Sequence, residues 1–302
     1  MATVLTCGAI NTDLVARLQR APEAGETVTG SDFAIFGGGK GANQALAAAR
    51  GGAATSILGA LGDDDFGRQR IADLQADRID IAAVAMRADA PSGVALITVE
   101  EQTGQNRIAY VPGATLTVTA EEARAAVAAV RPTVLLTTLE LPADAIAAAI
   151  ADAKALGATI ILNATPEPEL AEQHLAAIDT LIVNEPETEI LLGRSAGGDW
   201  KAAAQALQAR GPKNVIITLG SAGAIARFGD QDISVPVPSV TVVDTTGAGD
   251  ALCGAFAAAT ANGKSAEVAL RYGVAAGSLA CTVPGAQRSM PTAEAIRELQ
   301  AS

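Results

Sequence analysis

The second half of the chain alternates short apolar runs with longer segments rich in alanine. Residues 133–138, 159–162, 180–183 and 214–219 each hold three apolar residues in a row rather than at every second position. Such runs fit strands buried on both faces, as in a parallel sheet covered by helices. The segments between them predict helices. Thr119, with Glu122 three places later, opens the first as a capping box, and it runs to Val130. Residues 143–156 stop at Gly157, and 168–176 and 200–210 supply two more. Repeated strand–helix units predict an α/β fold, a central and mainly parallel sheet sandwiched by helices, with a Rossmann-like core.

The first half interrupts that rhythm. Strand 4–10 ends in Asn11-Thr12-Asp13, but residues 13–36 contain Pro22, Gly25 and Gly30 and alternate as β-structure does, so they predict a hairpin leaving the main sheet. Strand 55–61 leads through Asp63-Asp64-Asp65 into a helix ending near Asp77, the aspartates reading as helix caps ahead of metal ligands. Residues 92–100 and 106–111 form a second hairpin. The two excursions, about 12–37 and 91–112, together predict a small β-sheet lid on a single domain spanning 1–302.

Chemistry concentrates at the predicted strand ends, where open α/β sheets bind ligands. Strand 133–138 ends at Glu140, strand 180–183 at Asn184 and Glu187, and strand 214–219 at Gly220, Ser221 and Gly223. Two glycine-rich stretches stand out. Gly37-Gly38-Gly39-Lys40-Gly41-Ala42-Asn43 allows close backbone approach, either to a ligand or as a plain turn. It lacks the Ser or Thr after Gly-Lys that a Walker loop needs. Val242-Val243-Asp244-Thr245-Thr246-Gly247-Ala248-Gly249-Asp250 runs from a β-prone segment into the small-residue helix 251–260. The N–H groups of Gly247, Ala248 and Gly249 at a helix start make an anion site. Asp250 beside it is either a hydroxyl-proton acceptor or a cap. A helix over 265–281, a loop over 283–289 and a last helix from Thr292 complete the chain.

Composition narrows the class. The 302 residues carry a net charge of −12 with no basic block, which argues against nucleic-acid and anionic-membrane binding. No apolar run approaches the ~20 residues of a membrane helix. Cys7, Cys253 and Cys281 have no paired spacing, so reduced thiols and a cytoplasmic setting are expected. His174, the single histidine, reads as a packing residue.

Gly38-Gly39-Lys40-Gly41-Ala42-Asn43-Gln44-Ala45, Asp244-Thr245-Thr246-Gly247-Ala248-Gly249-Asp250, and Asn184-x-x-Glu187 between them are similar to the signatures of the ribokinase family of sugar and nucleoside kinases. The resemblance covers essentially the whole chain. It implies ATP-dependent phosphorylation of a sugar, foremost D-ribose at its 5-hydroxyl, with deoxyribose, fructose or a nucleoside as alternatives and a noncatalytic sugar-binding regulator as the rival from another class. It implies Asp250 as the base, with Gly247, Ala248 and Gly249 as the anion hole. Asn11, Asp13, Gly38, Gly39, Lys40, Asn43 and Glu140 would bind the sugar, with lid contacts from Ala95 and Ile97. Asn184 and Glu187 would organise magnesium, Glu187 through water, and Thr218, Gly220, Ser221, Gly223 and Gly249 the nucleotide. Asp244, Thr246, Ala280, Val283, Gly285 and Ser289 would hold potassium. The lid would make a homodimer contact.

Overall fold

In a computed structural model, residues 3–165 and 167–301 are described. Nine strands form one sheet in the order β13-β12-β11-β10-β9-β8-β1-β4-β5. They are β1 Thr3–Cys7, β4 Ala54–Gly62, β5 Val84–Arg87, β8 Val134–Thr137, β9 Thr159–Asn163, β10 Thr180–Asn184, β11 Asn214–Thr218, β12 Ala224–Phe228 and β13 Gln231–Val235. All pairs from β5 to β11 are parallel, and only β11-β12-β13 run antiparallel.

The consecutive apolar residues of these strands split between two faces, as a period of two demands. Leu5, Leu135, Ile160, Leu181 and Val215 pack with α3 (Ala120–Val130), α4 (Ala143–Ala155) and α6 (Trp200–Gln208). Val4, Val134, Ile161, Ile182 and Ile216 pack with α7 (Ala248–Ala261) and α8 (Ala266–Ala280). The capping box of α3 forms as the spacing predicts. Asp64 caps α2 (Asp65–Ala76), accepting from Gly67 N at 2.8 Å, so the aspartate run serves the helix start. The three cysteines are free thiols, Cys7 and Cys253 buried, and burial pushes Cys7 up to about 12. His174 is buried, and burial lowers its imidazole below the ordinary value, in keeping with packing.

The two excursions meet in one small sheet of order β3-β2-β6-β7: β2 Asn11–Leu18, β3 Gly30–Gly38, β6 Gly93–Glu100 and β7 Asn106–Val111. Hairpins join β2 to β3 and β6 to β7, while β2 and β6 pair in parallel.

Several boundaries differ from the sequence reading. The first strand stops at Cys7 rather than Ile10, and Asn11-Thr12-Asp13 open β2 instead of closing β1. The break falls at Gly8, which lies against Gly41 so closely that a Cβ would come 2.7 Å from its Cα. Helix α1 (Lys40–Arg50) begins at Lys40, inside the glycine-rich stretch itself. The segment read as a helix over 168–176 forms two 3-10 turns, Pro168–Gln173 and Leu175–Ala177, too short to propagate an α-helix. Strands β5, β12 and β13, and the short helices α5 (Glu185–Leu192) and α9 (Ala286–Ser289), were not apparent from periodicity. Helix α10 (Ala293–Ala301) closes the chain. Among the described residues no helix is long and apolar enough to cross a membrane.

Candidate active site

The ends of β1, β9, β10 and β11 converge on the N-termini of α1 and α7. Gly39, at φ 88°, turns the chain into α1. A Cβ on Gly41 would lie 2.4 Å from the Gly8 carbonyl carbon, so the end of β1 and the start of α1 touch backbone to backbone. Glu140 staples that contact. Its carboxylate accepts from Ala9 N at 2.9 Å, Lys40 N at 3.2 Å, Gly41 N at 3.1 Å and Thr138 Oγ1 at 3.0 Å. Burial lifts Glu140 above the ordinary carboxylate range against the pull of these donors and of Lys40.

Asp250 lies in the first turn of α7 and is 6% exposed. Two amides from α1 fix its carboxylate, Asn43 Nδ2 at 2.9 Å from Oδ2 and Gln44 Nε2 at 3.0 Å from Oδ1. Gln44 also donates to Asn163 Oδ1 at 2.9 Å, and Asn163 to Ile182 O at 3.2 Å, anchoring the group to β9 and β10. Helices α1 and α7 come close enough for this because Gly254 carries no side chain; a Cβ there would sit 2.4 Å from Gln44 O. Asn43 is therefore an interior helix residue bonded across the site.

The N-cap of α7 is Gly247, at φ 79°, with no side chain capping the helix. Gly249 is exposed, and a Cβ built on it meets nothing within 4 Å. These first-turn N–H groups border a cleft of about 130 Å³, whose walls include Lys40, Asp250, Asn184, Glu187 and Thr218. The carboxylate of Asp250, then those of Glu140 and Glu187, hold the Lys40 ammonium above its ordinary range despite burial. The cleft thus presents one ammonium and two carboxylates, Asp250 and Glu187, beside a positive helix end, an arrangement suited to an anion that arrives with a cation.

Asn184 and Glu187 form the capping box of α5, each side chain accepting from the other's N–H at 2.8 Å. Burial raises the Glu187 carboxyl, opposed by Asn184 N, the Thr165 hydroxyl and Lys40. Thr218 is the register partner of Asn184 on β11. The turn Gly220–Ala222 follows with Gly220 and Ser221 exposed, and Gly223 is pinned where a Cβ would lie 2.0 Å from Val235 O.

Asp244 knots two loops. Its Oδ1 accepts from Thr246 N at 2.9 Å and Thr246 Oγ1 at 2.7 Å, and its Oδ2 from Gly285 N at 2.8 Å. Burial works against the charged form, but these donors outweigh it, and the carboxyl sits below its ordinary range. Cys281 O accepts from Val243 N and Asp244 N, and Val283 N reaches Ala280 O at 3.5 Å. Ser289 is buried and donates to Ala286 O at 2.8 Å.

On the small sheet, Asn11, Asp13, Ala95 and Ile97 share one face by strand register. Asn11 Oδ1 is buried and without a hydrogen-bond partner. A Cβ on Gly38 would meet Asp13 Oδ1 at 2.3 Å, so that glycine makes room for the carboxylate. Burial pushes Asp13 up to about 6; Arg70 opposes this, and the charges of Asp250 and Glu140 add to it. Sequence reasoning missed Gln44, Asn163 and Arg70. Asn163 carried a signal, being the polar end of an apolar strand run.

The sequence profile of a family described as "pfkB family carbohydrate kinase" matches residues 1–293. A bifunctional ribokinase/ribose-5-phosphate isomerase A from Fructilactobacillus sanfranciscensis is 36% identical over 301 residues; the match takes in 98% of this chain and 56% of that longer protein. A ribokinase from Bacillus subtilis is 35% identical over 99% of both chains. A deoxyribokinase from Salmonella typhi is 33% identical over 98% of this chain and 97% of its own length. Among solved structures, a ribokinase from Arabidopsis thaliana complexed with ribose and ATP superposes with a TM-score of 0.87 at 31% identity, covering 98% of this chain and 97% of that one.

Proposed function

The chain belongs to the pfkB family of carbohydrate kinases, and from that premise we propose that it transfers the γ-phosphoryl group of ATP to the 5-hydroxyl of D-ribose. The observation that carries the reading is Asp250, buried, oriented by two amides of α1 and placed in the first turn of a helix whose N-terminus is open. Asp250 accepts the hydroxyl proton and aims the oxygen. The N–H groups at Gly247, Ala248 and Gly249 receive the charge that develops on the phosphoryl oxygens, with Lys40 alongside. Because the transition state of such transfers is largely dissociative, positioning matters more than base strength.

Asn11 and Asp13 bind sugar hydroxyls under a lid formed by the small sheet, with Gly38, Gly39, Asn43 and Glu140 shaping the floor and Ala95 and Ile97 the wall. A buried acceptor without a protein partner, Asn11 Oδ1, favours ribose over a sugar with fewer hydroxyls, since an absent hydroxyl leaves it unpaired. Thr218, Gly220, Ser221 and Gly223 lie where the nucleotide extends from the cleft.

Glu187 and Asn184 are the residues to hold magnesium through water. A single half-buried carboxylate whose charge is disfavoured by burial suits an ion that keeps most of its waters and rides on phosphates. Magnesium, when bound, neutralises charge on the triphosphate. The oxygen-rich loops about Asp244, Thr246, Ala280, Val283, Gly285 and Ser289 suit potassium, with Asp244 held in its charged form. Phe33, Ile35 and Leu96 are exposed on the face of the small sheet turned away from Asp13, a surface that supports a homodimer. Free buried thiols support a cytoplasmic setting.

Phosphate transfer from ATP to ribose, 2-deoxyribose, fructose and adenosine, measured with and without potassium, tests the reading. Highest kcat/KM on ribose is expected, raised by potassium. Preference for adenosine would overturn the sugar assignment, and a preference for deoxyribose would move it to the neighbouring activity.

A further inference from the structure

Helix α2 carries a buried cation that the chemistry above leaves unused. Arg70 is 6% exposed. Its Nη2 pairs with Asp73 Oδ2 at 2.7 Å, one turn along the helix, while Nε and Nη1 are buried without hydrogen-bond partners. Idle buried donors on a charged group are costly, so retaining the group calls for something its charge does. Arg70 lines a cavity of about 580 Å³ together with Phe36 and Gly37 of β3. Ile35 lines the same cavity from the other face of β3, Phe36 is the cross-strand partner of Asp13, and α2 packs on β2, so the guanidinium stands against the strand pair that carries the sugar-facing carboxylate.

We propose that Arg70 is a positioning residue for the acceptor sugar, its charge acting from α2 to keep Asp13 a carboxylate able to accept hydrogen bonds from sugar hydroxyls at neutral pH. The inference rests on Asp13 being a sugar ligand. Three charges face Asp13 besides the cost of its burial. Asp250 of α7 and Glu140 after β8 disfavour ionisation, and Arg70 favours it. Lys40, at the head of α1, is engaged with Asp250, Glu140 and Glu187. Asp73 partly offsets Arg70 from the solvent side, its side chain being 39% exposed. Asp13 stands at about 6 with Arg70 in place. Removing the cation leaves burial and two like charges unopposed, and the carboxyl becomes protonated at higher pH.

The test is kcat/KM for ribose between pH 5 and 9 for the wild type, Arg70→Met, Arg70→Lys and Asp73→Asn, each with its unfolding midpoint. In the wild type the acid limb should fall near 6. In Arg70→Met it should move up by about one pH unit, a roughly tenfold loss below the limb, carried by KM and regained at alkaline pH. Arg70→Lys should restore the wild-type limb, and Asp73→Asn should move it the other way. The midpoint of Arg70→Met should match or exceed the wild type, because two unpartnered donors leave with the side chain. A limb indifferent to Arg70→Met, or a loss equal at every pH, overturns the inference. Should Arg70→Met fail to fold, an unmoved limb in Asp73→Asn does so. A wild type that neither binds nor phosphorylates any sugar overturns the site reading along with it, whereas an active wild type with an indifferent limb overturns the role of Arg70 alone.

Discussion

The glycines at 37–41 and Gly249 look alike in the sequence and do opposite things in the fold. The first set is filled with protein. A Cβ would come within 2.3 Å of Asp13 Oδ1 at Gly38, 2.4 Å of Ala9 O at Gly39 and 2.4 Å of the Gly8 carbonyl carbon at Gly41. Around Gly249 there is nothing within 4 Å. Both stretches open a helix, yet the first N–H groups of α1, at Lys40 and Gly41, are already taken by Glu140. A helix N-terminus is an anion site only while its donors are free. Of the N–H groups at Gly247, Ala248 and Gly249, only Ala248 N has an acceptor among the described residues, Thr245 O at 3.3 Å, and no carboxylate covers the start of α7. That is why we propose the phosphoryl group there; the 37–41 loop brings β1, β2 and α1 together.

The largest effect should follow from Asp250→Asn, which keeps the shape of the second loop and removes its proton acceptor. Turnover should fall by about three orders of magnitude or more while ribose still binds, since the loss is in the transition state. Single-turnover kinetics beside calorimetry would show it. Near-normal turnover would leave Asp250 as a carboxylate that only ties α7 to Asn43 and Gln44 of α1, and the open N-terminus without its partner.

Gly41→Ala probes the filled loop and should act on stability first. Backbone meets backbone there, so the strand or the helix must move, at a cost of about 3 kcal/mol or more in denaturant unfolding. A variant as stable as the wild type would mean that the contact with Gly8 gives way easily, and the contrast between the loops would weaken.

Asn11→Ala should be milder. The lost Oδ1 has no protein partner, so unfolding should change by no more than about 1 kcal/mol. KM for ribose should rise by roughly ten- to a hundredfold, and less for 2-deoxyribose if the missing hydroxyl is the one Asn11 reads. Equal losses on both sugars would place Asn11 at a different hydroxyl.

How far the sequence could be read depended on whether a signal was local. Strands β8 to β11 were legible because each is apolar on both faces, and the α3 capping box because its partners lie three residues apart. The antiparallel hairpin β12–β13 was not: its buried and exposed positions mix at a sheet edge, and it lies between two stronger signals. Alanine content hid the start of α1, since Lys40, Asn43 and Gln44 are helical positions that look like loop residues. In the site, Glu140, Asn184 and Glu187 could be found from strand ends alone. Asn163 is also a polar strand end, but Gln44 could not be found that way, because its meaning comes from a contact between α1 and β9 across 119 positions of sequence. Arg70 read as one more polar residue of an exposed helix, and only burial distinguishes it.

Gly249→Ala should have the smallest effect on the protein and separates the two loops most directly. Gly249 is the second residue of α7, its φ lies outside the left-handed region, and an added methyl meets no protein atom. Alanine is the better helix former by about 1 kcal/mol, so the unfolding midpoint should hold or rise slightly. The methyl would nonetheless occupy space at the rim of the cleft, where the phosphoryl group must approach the N–H groups. KM for ATP should rise a few-fold with KM for ribose unchanged. Were both to stay at wild-type values, the open space at Gly249 would not be where the phosphate sits, and the anion would have to be sought nearer Gly247. Loss of stability instead would mean that this glycine, like Gly41, is held by protein. The same substitution thus tests stability in one loop and ligand space in the other, and opposite outcomes at Gly41 and Gly249 are what the geometry requires.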